Sequence, residues 1–270
     1  METIIAAVLV ISGLGFLLGY GLAFAAKKLE TTRDERAAEI EQCLPGVNCG
    51  ACGYAGCAGY AQAIIAQGVP VYLCAPGGVA AATAIGRLLG IAVAESVPMK
   101  ARVHCGGGDD VTSQKYRYNG VADCRSAAAL FDGFLACSEG CLGLGSCVNA
   151  CRFDAIDIDA RGHVSIREDA CTGCAACVKA CPRHLIELVP VDRRVHVLCS
   201  STEKGAVCNK FCSVSCIGCM KCEKACPHDA IHVSGNLARI DYTKCTSCSA
   251  CVAVCPKKCI IDLGKIPAGV

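Results

Sequence analysis

The chain of 270 residues has no Trp, only seven Tyr and six Phe, and no marked excess of either charge. With so few large side chains, hydrophobic burial alone cannot organise small domains. The formal net charge of +2 and the sequence pI near 7.7 argue against nucleic acid as a partner. No phosphate-binding glycine loop, dinucleotide fingerprint or Ser/His/Asp arrangement is recognisable, so we expect no site that transforms an organic substrate.

What the chain does have is cysteine, 27 residues in all. Disulfide scaffolds are short secreted chains with an even cysteine count, and sulfurs in C-x-x-C-x-x-C runs would exchange disulfide partners with their neighbours. The odd count and the dense spacing therefore indicate metal ligands.

The N-terminal segment from Ile4 to Ala26 has no charged residue. As a helix it would be roughly 34 Å long, enough to cross a bilayer core. Positive charges follow the segment, which predicts an outside N-terminus and a cytoplasmic cysteine-rich part. These charges are Lys27, Lys28, Arg33 and Arg36.

The cysteine motifs C-x2-C-x2-C-x3-C-P are typical of bacterial ferredoxins, where three cysteines bind one 4Fe–4S cluster and the fourth binds the neighbouring cluster. By this crossing rule, the two C-terminal motifs hold two clusters. The predicted sets are Cys216, Cys219, Cys222 with Cys255, and Cys245, Cys248, Cys251 with Cys226.

A second pair of motifs lies upstream, and its first member is irregular because Gly143 and Gly145 lengthen one gap and Arg152 replaces the expected proline. The same crossing rule predicts two more clusters. The predicted sets are Cys171, Cys174, Cys177 with Cys151, and Cys137, Cys141, Cys147 with Cys181.

Zinc is the alternative to iron and sulfur. Structural zinc takes four ligands as two separated pairs, so a third cysteine in each C-terminal run would be surplus. For the N-terminal set of Cys49, Cys52, Cys57 and Cys74, spacing alone leaves zinc and iron–sulfur both open.

Seven cysteines fall outside these motifs. They are Cys43, Cys105, Cys124, Cys199, Cys208, Cys212 and Cys259. Free cysteine packs well as a small apolar residue. Because Cys105 and Cys199 lie in small-residue loops that flank the middle domain, we hypothesise a further site. Its members would be Cys105, Cys124, Cys199 and Cys212.

The hydrophobic N-terminal segment, the stretch LPGVNCGACGYAGC with CAPGG, and the tandem ferredoxin motifs together resemble the B subunit of Rnf complexes, the membrane-bound ferredoxin:NAD oxidoreductases. The resemblance covers nearly the whole chain and implies that Cys49, Cys52, Cys57 and Cys74 bind a 4Fe–4S cluster. It implies at least five clusters, and six if the further site is real.

The expected fold class is α+β, with one transmembrane helix (1–27), a linker (28–42), a small iron–sulfur domain (43–98) and two dicluster ferredoxin-like domains (99–198 and 199–270).

The resemblance also implies reduced ferredoxin as electron donor, the A, C, D, E and G subunits of Rnf as partners, and the plasma membrane as location. The implied function is electron relay within an ion-translocating complex. Two alternatives remain open: a Rsx-like reductase that keeps an iron–sulfur transcription factor reduced, and clusters that serve only to stabilise the fold.

Overall fold

The computed structural model describes residues 2–28, 34–93 and 97–265. The first helix, α1, runs from Glu2 to Lys28. A bilayer span needs about 20 consecutive apolar residues. In α1, the continuous stretch of described side chains runs from residue 11 to residue 25, and all of these side chains are exposed.

In the described part of the chain, no helix is both long and apolar enough to cross a membrane. On this finding the transmembrane part of the predicted fold class is wrong, and the structure supports a mixed helix-and-strand fold with ferredoxin-like domains. The side chains of Lys27, Lys28 and Arg33, on which the predicted orientation rested, lie outside the described ones.

Three helices form the N-terminal module: α2 (Glu35–Gln42), α3 (Gly56–Gln67) and α4 (Gly78–Leu89). Within the predicted linker, α2 begins at Glu35 because the Asp34 carboxylate accepts a hydrogen bond from the Arg36 N–H and caps the helix. Residues 29–33 of that prediction lie outside the described residues. Ile40, Tyr60 and Ile85 fill the core of this module.

Two ferredoxin-like modules follow, built from short helices and two-stranded antiparallel sheets. Their elements are β1 (Met99–Val103), α5 (Cys124–Ala129), α6 (Ser146–Ala150), β2 (Ile156–Ile158), β3 (Val164–Ile166), α7 (Ala176–Ala180), β4 (Ile186–Pro190), β5 (Val195–Val197), α8 (Gly205–Phe211), α9 (Lys221–Ala225), β6 (Ile231–Ser234), β7 (Leu237–Ile240), α10 (Ala250–Ala253), β8 (Ile260–Asp262) and a 3-10 turn (Leu263–Lys265).

The two modules repeat one topology. In the first, β1 pairs with β4 and the β2–β3 hairpin lies between them in sequence; in the second, β5 pairs with β8 around the β6–β7 hairpin. Strand β5, which pairs with β8, lies just before the expected domain boundary at 198/199. Each motif thus has a short helix and a strand to hold its cysteines.

A buried histidine lies at the start of the second module. His196 is 1% exposed, and its Nδ1 lies 2.9 Å from the Tyr242 hydroxyl. Burial, and then the neighbouring Arg102 and His104, lower the pKa of His196 to about 4. The folded protein therefore holds this imidazole neutral.

This depressed pKa predicts acid sensitivity. Protonation of His196 favours the unfolded chain, whose histidine pKa is about 6.5, so stability falls as pH drops through that value towards 4. Between about pH 7 and about pH 5.5, the wild type should lose roughly 1 kcal/mol of unfolding free energy more than His196→Gln. Anaerobic urea unfolding of both proteins measures this, and equal losses would contradict it.

Candidate iron–sulfur sites

The cysteine loops share an unusual backbone conformation. In the three regular motifs, the residues two and four positions after the first cysteine are left-handed: φ is 72° and 61° at Gly173 and Ala175, and 64° and 58° at Gly218 and Met220. Ser247 and Ser249 repeat the pattern with 58° and 64°. Alternating hands of backbone turn successive N–H groups towards one concave side, which favours an anionic group there.

The second module contains two sulfur-lined cavities, each with ≈ 320 Å³ of empty space. Each one combines three cysteines of one motif with the last cysteine of the other. One is lined by Cys216, Cys219, Cys222 and Cys255, and the other by Cys226, Cys245, Cys248 and Cys251. These are the groupings that the crossing rule predicts. Helices α9 and α10 connect the two cavities, because each helix lies between a cysteine of one cavity and a cysteine of the other cavity.

The first module contains a matching cavity of ≈ 320 Å³, lined by Cys151, Cys171, Cys174 and Cys177. The Ala101 N–H on β1 donates to Cys171 Sγ at 3.5 Å. Hydrogen bonds of this kind to sulfur are one of the ways in which a protein adjusts the potential of a cluster.

The irregular motif differs from the prediction. A cavity of ≈ 380 Å³ is lined by Cys124, Cys141, Cys147 and Cys181, with Cys124 in the place expected for Cys137. The Cys124 N–H donates to Ser146 Oγ at 2.8 Å, and Ser146 Oγ donates to Asp123 at 2.8 Å. These bonds tie the start of α5 to the start of α6.

Cys137 lines a different cavity, of ≈ 390 Å³, together with Cys105, Cys141, Cys199 and Cys212. The structure therefore brings together three members of the hypothesised further site but not Cys124. Burial raises the pKa of Cys137 to about 12 and that of Cys199 to about 11. Nothing in the spacing of Cys124 or Cys137 signalled this exchange.

In the N-terminal module, Cys52, Cys57 and Cys74 pack against the helical core. Burial raises the pKa of Cys74, and the nearby Cys57, Cys49 and Cys52 raise it further, so the four predicted cysteines lie close together. The Asn48 side chain accepts a 2.7 Å hydrogen bond from the Cys57 N–H and holds the loop to the start of α3.

Tyr60 anchors the segment that carries Cys74. Its hydroxyl donates to the Pro70 carbonyl at 2.7 Å and accepts from the Leu73 N–H at 3.1 Å. Burial raises the pKa of Tyr60 to about 12.

Three cysteines lie outside these groups of four. Cys43 Sγ donates to the Glu39 carbonyl, and Cys208 is fully buried beside Ser201. Cys259 Sγ lies 3.6 Å from Cys255 Sγ at the edge of a cavity. A hydrogen bond from Cys259 lowers the pKa of Cys255 to about 5.

The residues present fit 4Fe–4S clusters. Among the described residues, no three His, Cys, Asp or Glu side chains are close enough to hold a single ion. A single zinc ion would need its sulfurs at about 2.3 Å from one point, whereas a 4Fe–4S cluster takes four cysteines on four separate irons. Cavities that have four sulfurs around a space, and N–H donors on those sulfurs, meet the second requirement. They define the class of the molecule, which is a multi-cluster iron–sulfur protein.

The comparisons with known proteins agree with this class. Residues 44–76 match the family described as "Putative Fe-S cluster", and residues 136–188 and 215–259 each match a family described as "4Fe-4S dicluster domain". The B subunit of the ion-translocating oxidoreductase complex of Methanosarcina acetivorans is 44% identical over 96% of this chain and 98% of its own length.

Two further relatives carry more specific names. The B subunit of the Na(+)-translocating ferredoxin:NAD(+) oxidoreductase complex of Acetobacterium woodii is 38% identical over 99% of this chain and 81% of its own. The B subunit of the proton-translocating ferredoxin:NAD(+) oxidoreductase complex of Clostridium ljungdahlii is 40% identical over 95% and 91%. The chain belongs to the family of B subunits of these ion-translocating oxidoreductase complexes, the Rnf complexes.

The Tyr60 contacts generate a prediction for the N-terminal site. Tyr60→Phe removes two part-buried hydrogen bonds, to the Pro70 carbonyl and from the Leu73 N–H, which costs about 1–2 kcal/mol locally. We expect the variant to lose about four irons per chain to a chelator faster than the wild type does. Tyr72→Phe is the control because Tyr72 is 64% exposed. Equal iron retention in all three proteins would contradict the role given to Tyr60.

Proposed function

We propose that this chain accepts electrons from reduced ferredoxin and passes them, over at least five 4Fe–4S clusters, to other subunits of an Rnf complex. The observation that carries the proposal is the set of cysteine-lined cavities in both ferredoxin-like modules, each of which contains three cysteines of one segment and one from another; Cys259 lies at the edge of one of them. When bound, such clusters exchange single electrons, and the protein supplies their ligands, burial and hydrogen bonds.

The proposed ligands follow the cavities. The N-terminal cluster is held by Cys49, Cys52, Cys57 and Cys74. The two clusters of the first module are held by Cys151, Cys171, Cys174 and Cys177, and by Cys124, Cys141, Cys147 and Cys181. Those of the second module are held by Cys216, Cys219, Cys222 and Cys255, and by Cys226, Cys245, Cys248 and Cys251.

Neighbouring sites are joined by short pieces of backbone. Helices α6 and α7 each lie between a cysteine of one first-module cavity and a cysteine of the other. The Arg152 side chain, directly after Cys151, donates to the Asn48 carbonyl at 3.2 Å and so brings the N-terminal cysteine loop next to the first module. This contact supports a continuous series of sites from one end of the chain to the other.

The second module is the proposed docking region for ferredoxin. Cys219 and Cys248 are the exposed cysteines of the described chain. Lys221 and Lys224 lie in the motif that carries Cys219, Lys258 follows Cys255 by three residues, and all three are exposed. An exposed ligand beside a positive rim favours rapid approach of a negatively charged protein donor.

Ion translocation requires a membrane, and the family membership implies assembly with the other Rnf subunits. We propose that the chain works at the cytoplasmic face of the plasma membrane within that complex. The relatives' names include both Na(+) and proton translocation. Because relatives of both kinds are about equally similar to this chain, the comparison favours neither Na(+) nor the proton as the coupling ion.

Reduction by ferredoxin tests the proposal. Under anaerobic conditions, the visible absorbance of the full chain should bleach when reduced ferredoxin is added, and the rate should fall with added salt. A chain loaded with iron and sulfide that ferredoxin cannot reduce would refute the proposed function.

A charge reversal tests the docking region. Lys221→Glu should slow this reduction about threefold to tenfold at low salt and weaken its salt dependence, because a steering charge is inverted. Arg117→Glu makes the same charge change at an exposed position of the first module and should leave the rate unchanged. Iron content should be equal in both variants. Equal slowing of the two would contradict docking at the second module.

A further inference from the structure

We propose that Cys105, Cys137, Cys199 and Cys212 hold a sixth 4Fe–4S cluster, placed between the two ferredoxin-like modules. All four line the cavity of ≈ 390 Å³ described above. The inference rests on the proposed function, since it takes the neighbouring cavities to hold clusters of the same kind. It also replaces the further site expected from the sequence, which contained Cys124.

Two equivalent loops bring the first two sulfurs together. Cys105 follows β1 by two residues, and Cys199 follows β5 by two residues, so each occupies the same place in its module. The Gly106 N–H donates to the Leu198 carbonyl at 3.0 Å, and Ser200 Oγ donates to the His104 carbonyl at 2.9 Å. The repeat of the modules thus places one cysteine from each at their junction.

The other two sulfurs come from segments that both pair with residues 111–115. Thr112 and Cys212 form an antiparallel bridge, supported by a 2.8 Å bond from the Ser113 N–H to the Phe211 carbonyl. On the other side, the Ala136 N–H donates to the Ser113 carbonyl at 2.9 Å. Because 111–115 pairs with both neighbours, Cys212 and Cys137 are carried to the same cavity.

Donors already point at these sulfurs. The Cys141 and Gly107 N–H groups donate to Cys105 Sγ at 3.3 Å and 3.4 Å, and the Cys216 N–H donates to Cys199 Sγ at 3.2 Å. Thr112 Oγ1 donates to Cys212 Sγ at 3.5 Å. Such donors stabilise thiolates that bind metal.

Gly107 allows the close approach on which these bonds depend. A Cβ at Gly107 would lie 2.8 Å from Thr112 Oγ1 and 3.3 Å from Cys105 Sγ. A side chain here would therefore push apart the two segments that carry Cys105 and Cys212.

The division of sulfurs between the two adjacent cavities is set by Cys141, which lines both. With Cys141 assigned to Cys124, Cys147 and Cys181, each cavity has four sulfurs. If Cys141 were assigned to the other cavity instead, the cavity of Cys124 would have three sulfurs and the cavity of Cys105 would have five. Four cysteines per cluster is the ordinary ligation, so this division satisfies both sites.

The position of the site gives it a place in the series. Cys141 borders the neighbouring cavity of the first module, and the Cys199 sulfur accepts a hydrogen bond from Cys216, a ligand of the second module. The sixth site therefore adjoins one cluster site of each module.

Pairs of substitutions test the ligand set in the full chain. Iron, acid-labile sulfide and zinc are measured on anaerobically purified protein, and the wild type should contain about 24 irons and no zinc. Cys137→Ala combined with Cys199→Ala removes two ligands of one site and should affect one cluster, a loss of about four irons. Cys124→Ala combined with Cys199→Ala takes one ligand from each of two sites and should affect two clusters.

Three-iron remnants give their own EPR signal in the oxidised state, so each is counted as one affected site. Cys208→Ala is the control, because Cys208 is buried but lines none of these cavities, and it should keep all the iron. If the double variants that contain Cys199→Ala do not accumulate as folded protein, Cys105→Ala replaces Cys199→Ala in both. The comparison is then between Cys105→Ala with Cys137→Ala, which should affect one cluster, and Cys105→Ala with Cys124→Ala, which should affect two.

Three results would overturn the inference. The first is a wild type with about 20 irons, and the second is zinc in place of the sixth cluster. The third is that the variant with Cys137→Ala and Cys199→Ala has two affected clusters while the variant with Cys124→Ala and Cys199→Ala has one. About 20 irons with normal reduction by ferredoxin would remove the sixth site and leave the proposed function. About 24 irons that ferredoxin cannot reduce would do the reverse.

Discussion

Ligation of iron by cysteine sulfur is the constraint on which the rest of this structure depends. The chain has no Trp, and its ferredoxin-like modules contain only short strands and helices of four to seven residues. Their hydrophobic clusters are built around the cysteines themselves: Cys216, Cys222 and Cys251 pack with Ile231 and Leu237 in the second module. Metal ligation is a general source of folding free energy for domains with so small a core.

Sharing of each motif between two cavities makes neighbouring sites interdependent. A helix such as α9 carries Cys222 inside one cavity and is followed directly by Cys226 in the other. The helix therefore fixes the distance between a ligand of one site and a ligand of the next. This arrangement suits electron transfer, which requires neighbouring centres to be held at fixed short separations. The same constraint on the cysteine loops accounts for residues in the left-handed region where a side chain is unfavourable, such as Met220.

Hydrogen bonds join the modules to one another. Arg152 links the N-terminal module to the first ferredoxin-like module, and the loops after β1 and β5 link the two ferredoxin-like modules. At the second junction, the Gly106 N–H donates to the Leu198 carbonyl, and Ser200 Oγ donates to the His104 carbonyl. Hydrogen bonds have strict geometry, so these contacts fix how one module sits on the other.

By itself, the sequence determined the chemistry, the family and the local form of each regular site, because C-x2-C-x2-C-x3-C spacing sets a loop and a short helix within a dozen residues. It also led to a predicted membrane span that the described structure does not support. Only the tertiary structure decided the partners in the irregular part. Cys124 and Cys137 exchange places because Asp123 and Ser146 hold α5 against α6, while the 111–115 segment draws Cys137 towards Cys212. Those contacts join residues far apart in sequence, and spacing carries no information about them.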